Sequence, residues 1–138
     1  MQAVRTVRPQ VVFSHLPGDY LAHRTLANAM PEAVWQASWR CSLDLGEPWA
    51  VSRLYLFPIL DLVPKPSHIV DITDTFDAKL AAMQAFQSQH AVVAGILEQI
   101  RAKAAAYGSL VGVRYGEAFV RSQAIPALVP DASCLLEL

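Results

Sequence analysis

His15, Asp19 and His23 recur at four-residue intervals in HLPGDYLAHR (15–24). Two imidazoles and a carboxylate suit zinc or another borderline divalent ion, with water in the open position. On a continuous helix this spacing would stack all three on one face. Pro17 and Gly18 forbid that helix, so loop geometry decides which of them converge. The competing reading is a solvated loop in which His23 merely sits at a helix start. His68, before a strand, and His90, beyond a helix end, read as structural. Lys79 and Gln89 read as a solvated helix face, and Glu117 as a loop carboxylate. GxSxG, a Gly-rich phosphate loop and HExxH are all missing, so nucleophilic and nucleotide chemistries lose their usual signatures.

The elements that must position these residues follow from hydrophobic period and breakers. VVFS (11–14) is a β-branched and aromatic strand that ends in the HLPGD loop. Leu26, Ala29, Met30, Ala33, Val34 and Ala37 predict a helix over 24–39 that restarts or kinks near Pro31. VSRLYLFPI (51–59) is a second strand and HIVDI (68–72) a third. TDTFD then opens a helix, with Thr73 or Asp74 as cap and Asp77 closing a capping box. A further helix is predicted from about Ala91 to Tyr107, ended by Gly108, while 112–121 is open between extended loop and short strand. The tail AIPALVPDASCLLEL carries no assignment.

Composition bounds the function. With 11 basic and 12 acidic residues and a net charge of -1, the 138-residue chain has no field for nucleic acid or anionic lipid. It is 54% hydrophobic and only 17% charged, so an apolar surface left for a partner is expected. No run approaches the roughly 18 apolar residues of a membrane span, and MQAVRTVRPQ has no signal-peptide core. The expectation is a single cytoplasmic domain, 1–138, with Cys41 and Cys134 as free thiols.

VDITDTFDAKLAAMQAFQSQ (70–89), followed by YGEAF (115–119), resembles the C-terminal part of the LmbE-like (PIG-L) zinc-dependent N-acetylglucosaminyl deacetylases. In that family an Asp-Ile strand end leads into a helix carrying Lys, Ala and Ser-Gln, with a later Glu-Ala-Phe. RPQVVFSHLPGDYLAHRTLANA is similar to the family's segment in which Arg-Pro precedes a strand and His-Arg opens a helix. The resemblance runs from about Val7 to about Phe119. It implies a Rossmann-like sheet and hydrolysis of an N-acetyl group from an amino sugar or its conjugate. In such a site zinc polarises the amide carbonyl, a carboxylate takes a proton from water, and a His or Tyr steadies the oxyanion. By position His23 matches the family's distal zinc histidine, and Tyr20 is the candidate oxyanion donor.

The departures shape the expectation. The family's His-Pro-Asp-Asp motif, which supplies the other two zinc ligands and the base, does not occur in this chain. Tyr20 and Ala22 stand where the family usually has a His and an Asp. The resemblance therefore implies a partial Rossmann-like α/β sheet of about three strands with flanking helices, lacking the family's N-terminal strands. Zinc would bind only once missing residues or a partner complete the site, and the chain alone would be inactive. His15 and Asp19 fall to loop residues. The partner is expected to be a complementing N-terminal fragment or a homo-oligomer. The alternative is a non-catalytic interaction or dimerisation module on the same scaffold, and a third reading is a small metallohydrolase built on His15, Asp19 and His23.

Overall fold

The computed structural model describes residues 1–18, 20–59, 61–88 and 93–125, so the expectations for Asp19, Gln89, His90, Cys134 and the tail lie outside the described residues. Strands β1 (Val11–His15), β2 (Arg53–Phe57), β3 (His68–Asp71) and β4 (Gly116–Arg121) form a mixed sheet in the order β1-β2-β4-β3. β1 and β2 run parallel, whereas β4 is antiparallel to both β2 and β3. Helices α1 (Gln2–Val7), α2 (Leu21–Ala37), α3 (Phe76–Ala85) and α4 (Ile96–Val111) flank the strands. The fold class is the α/β, Rossmann-like one that the sequence implies, with four strands rather than about three. GEAFVR alternates only loosely, yet it is a strand because both its edges are taken, by β2 and by β3.

The chain divides into two compact units, Met1–Asp61 with Val120–Leu138, and Leu62–Phe119. In the first, β1 and β2 align Phe13 with Tyr55, Ser14 with Leu56 and His15 with Phe57. One sheet face is closed: Ser14, Leu54 and Leu56 are buried on it. α2 brings Ala27, Met30, Val34 and Ala37 to the core at helical spacing. It starts three residues before the predicted span and includes Pro31, which removes one donor without ending the helix. α1, which hydrophobic period does not announce, delivers Val4 to the core of Val34, Ala37 and Val51. It also buries Arg5, whose guanidinium donates to backbone carbonyls at the end of α2 and beyond. Trp49 seals the cluster, its indole N–H donating to the Pro9 carbonyl at 2.8 Å.

In the second unit the handover from β3 to α3 differs from the predicted capping box. A 3-10 turn at Thr73–Thr75 precedes α3, and neither Thr73 nor Asp74 caps it. The work is done by Asp71, whose Oδ1 accepts from the Thr73 amide at 2.9 Å and from its hydroxyl at 2.6 Å. Phe76 and Leu80 of α3 pack with Ile72 and with Ala104 of α4, and Tyr115 stacks on Phe76 with centroids 3.8 Å apart. α4 begins at Ile96 and continues past the predicted stop at Gly108, ending where Gly112 takes the left-handed conformation at φ 76°. Lys79, read from the sequence as part of a solvated helix face, and Glu117, read as a loop carboxylate but lying on β4, meet: the Lys79 ammonium donates to Glu117 Oε1 at 2.6 Å, tying α3 to β4.

The Asp71 turn carries a pH signature. Thr73, first through its hydroxyl and then through its amide, holds the Asp71 carboxyl below its ordinary 3.8. A depressed folded pKa contributes stability that is complete above the unfolded value and is lost as pH falls through the folded one. We expect Asp71→Asn to flatten part of the fall in melting midpoint below about pH 4, where the wild-type carboxylate protonates. Melting curves that stay parallel for the two proteins through that range would refute the assignment.

Candidate functional site

Parallel pairing puts the C-terminal ends of β1 and β2 side by side, and open α/β sheets bind ligands beyond such ends. His15 is the last residue of β1, not a loop residue, and Phe57, aligned with it, closes β2. The two rings meet edge to face with centroids 5.0 Å apart. Leu16 extends the pairing by one step, its amide donating to the Phe57 carbonyl at 3.0 Å. The chain then turns through Pro17 and Gly18 to Tyr20, which precedes α2 in an extended conformation. This turn does what a helix could not. It returns His23, in the first turn of α2, to within stacking distance of His15.

The His15 and His23 rings lie 4.1 Å apart between centroids at an interplanar angle of 16°. Tyr20 packs on the other partner of the pair, its ring 4.2 Å from that of His23 and tilted by 41°. His15 Nδ1 is buried and meets no hydrogen-bond partner among the described residues. Such atoms are rare in folded chains, because desolvating a ring nitrogen without a partner is costly, and a ligand is one way to satisfy it. Alongside lies a shallow, open depression lined by Leu16, Gly18, Pro58, Ile59 and Asp61. It offers a carboxylate and an apolar floor.

The donor types are ones that zinc accepts. Two imidazoles are present, but among the described residues no three His, Cys, Asp or Glu side chains cluster as a metal would require. Of the sequence candidates, the fold gathers His15, His23 and Tyr20, while His68 lies on β3 in the other unit. Phe57 and Asp61 were missed. Nothing in the local sequence of Phe57 signals proximity to His15, which only the β1–β2 register creates.

No family model matches the chain. Among solved structures it is similar to a conserved protein from Thermus thermophilus, at 35% identity and TM-score 0.78, over 94% of this chain and 58% of that one. It is also similar to the N,N'-diacetylchitobiose deacetylase from Pyrococcus horikoshii, at 29% identity and TM-score 0.73, over 96% of this chain and 53% of that one. A 4-carboxy-2-hydroxymuconate hydratase from Pseudomonas putida shares the fold, at 21% identity and TM-score 0.68, over 94% of this chain and 57% of that one. The chain thus spans somewhat more than half the length of each of these structures. The first two likenesses support the LmbE-like (PIG-L) resemblance at the level of the family.

Proposed function

We propose that this chain is the C-terminal portion of a zinc-dependent hydrolase that removes N-acetyl groups from an amino sugar or its conjugate. The observation that carries the reading is the stacked His15–His23 pair at the ends of β1 and β2, with a buried, unsatisfied His15 nitrogen. A scaffold likeness to a chitobiose deacetylase supports the substrate class. His15 and His23 would hold the metal, and zinc, when bound, supplies Lewis acidity toward the amide carbonyl. Phe57 braces the His15 ring, and Tyr20 both braces His23 and offers a hydroxyl for the oxyanion. His-Pro-Asp-Asp is absent from these residues, so the chain does not by itself supply the base.

Zinc or cobalt titration of chelator-treated protein at neutral pH tests the half-site directly. One weak equivalent is expected, and His15→Ala or His23→Ala should each weaken it by at least about tenfold, since two donors cannot share the loss of one. Cobalt absorption should report nitrogen ligands. No uptake by the wild-type chain would mean that His15 and His23 hold no metal by themselves, and no gain in deacetylation on adding a fragment bearing His-Pro-Asp-Asp would sink the reading and leave the non-catalytic interaction module in its place. Deacetylation of N-acetylglucosamine by the chain alone should be undetectable, because the base is supplied elsewhere.

A further inference from the structure

We infer that Tyr115, Arg101 and Arg114 form a binding site for the phosphoryl group of a small-molecule ligand. Every residue of this site lies in the unit Leu62–Phe119, so it stands independently of the metal reading.

Tyr115 is the fixed point. It lies between the turn that ends α4 and the start of β4 at Gly116. Its carbonyl accepts from the Ile72 amide at 3.0 Å and its amide donates to the Thr73 hydroxyl at 3.2 Å, so both backbone groups are held. Its ring stacks on the buried Phe76 with centroids 3.8 Å apart. With backbone and ring both fixed, the phenolic hydroxyl has little freedom of position.

Two guanidiniums gather on this phenol. Arg101 of α4 donates from a terminal nitrogen to the Tyr115 hydroxyl at 3.4 Å and stands 5.6 Å from the centroid of the Phe76 ring. The Arg114 guanidinium stands 5.2 Å from the centroid of Tyr115 itself. Both side chains are exposed, and among the described residues neither forms an ion pair with a carboxylate. Glu98, one turn before Arg101 on α4, is not such a partner, whereas Lys79 in the same unit has one in Glu117. The Tyr115 hydroxyl accepts from Arg101, and its own proton meets no acceptor among the described residues.

Donors without acceptors on one rigid ring call for an oxyanion. Guanidiniums held against aromatic rings are partly ordered before a ligand arrives, and their planar forks match phosphate oxygens in pairs. A phosphoryl group brings three acceptor oxygens, one for each fork and one for the phenolic proton, where a carboxylate brings two. The surroundings exclude a polyanion. Asp74 and Asp77 stand on either side of Phe76 in the chain and Glu98 precedes Arg101, so the region has no broad positive field for nucleic acid or a lipid surface. A discrete anion is held instead by direct, charge-assisted hydrogen bonds.

Titration of the full chain with inorganic phosphate at constant ionic strength, against a chloride reference and followed by nitrogen NMR of the arginine Nε–H groups, tests the site. The Arg101 and Arg114 signals should move together, with half-saturation below about 10 mM. Arg101→Gln and Arg114→Gln should each weaken binding at least about fivefold, and Tyr115→Phe, which keeps the stacked ring, at least about twofold. Lys65→Gln, an equal loss of charge at an exposed position of the same unit, should leave binding unchanged. Wild-type signals that do not saturate overturn the inference, and that measurement needs no variant to fold. Binding that survives any one of the three substitutions at full strength overturns the three-donor site, and equal weakening by Lys65→Gln does the same, because diffuse charge would then be the cause. Malonate binding as tightly as phosphate would mark a carboxylate as the ligand and overturn the phosphoryl assignment. Methyl phosphate, titrated in parallel, separates the two sources of the group: tighter binding than inorganic phosphate identifies an ester, and weaker binding the free ion. No metal is added, so failure here leaves the metal reading intact and failure of that reading leaves this site intact.

Discussion

Arg5→Met is expected to lower the unfolding free energy by about 4 kcal/mol, a large share of the roughly 5–15 kcal/mol typical of a domain. Arg5 is 2% exposed and has no carboxylate partner among its hydrogen bonds. Its Nε–H donates to Ala37 at 3.2 Å, and its terminal nitrogens reach the carbonyls of Gln36, Trp39, Cys41, Ser42 and Gly46 at 2.7–3.4 Å. The last carbonyls of a helix have no partner of their own, and the helix dipole places negative potential there. A guanidinium therefore answers both needs at once. It also gathers the turn after α2, in which Ser42 holds a left-handed conformation at φ 49° that a non-glycine residue adopts at a cost.

Methionine keeps the packing volume but takes the Arg5 donor from the carbonyls of Trp39, Cys41 and Gly46, while those of Gln36, Ala37 and Ser42 keep backbone amides, and bonds to a charged donor are worth more than neutral ones. Lysine keeps the charge but replaces a planar fork with a point, so Arg5→Lys should recover less than half the loss. Urea unfolding of the three proteins with an unchanged m-value checks this. A deficit below about 1 kcal/mol for Arg5→Met would mean that water reaches the carbonyls as well as Arg5 does.

Why this arginine was illegible in the sequence is physical. Its partners are backbone carbonyls 31–41 residues away, and a carbonyl has no residue type to read. α1 was missed with it, because six residues are too few to show a period. β1, β2 and β3 were legible, since VVF, LYLF and HIV announce strands through composition alone. The α3 start was located to within a few residues, but its cap was not, because Asp71 bonds forward to Thr73 from the strand side. The site shows the same division. Spacing proposes His15, Asp19 and His23 together; Pro17 and Gly18 rule out a continuous helix and leave convergence to the loop, and the structure stacks His23 on His15. Residue types were in view, and the β1-turn-α2 path was not.

Gly108→Ala provides the second large effect, and its sign is the informative part. In an open helix interior the change would stabilise by about 1 kcal/mol, because alanine loses less backbone freedom on folding. Gly108 lies inside α4, yet a Cβ there would stand 2.6 Å from the Val113 carbonyl oxygen and 2.9 Å from the Arg114 carbonyl carbon. That backbone has little room to retreat. Val113 is bound to Gly108 by its own amide at 3.0 Å, in the turn that Gly112 makes after the helix. Beyond it comes Gly116 of β4, whose own Cβ would meet Gly108 N at 3.0 Å and Ile69 Cγ2 at 2.6 Å. Helix and strand thus approach backbone to backbone, with glycine on both sides of the contact. We expect Gly108→Ala to destabilise by about 2–3 kcal/mol, the range for forcing atoms into a closed contact. Gly112→Ala, at φ 76° with open space around it, should cost only about 1 kcal/mol from the left-handed conformation. Chemical denaturation of the two variants decides the matter. If Gly108→Ala proved neutral or stabilising, α4 would have to stand farther from the β4 strand than this packing allows.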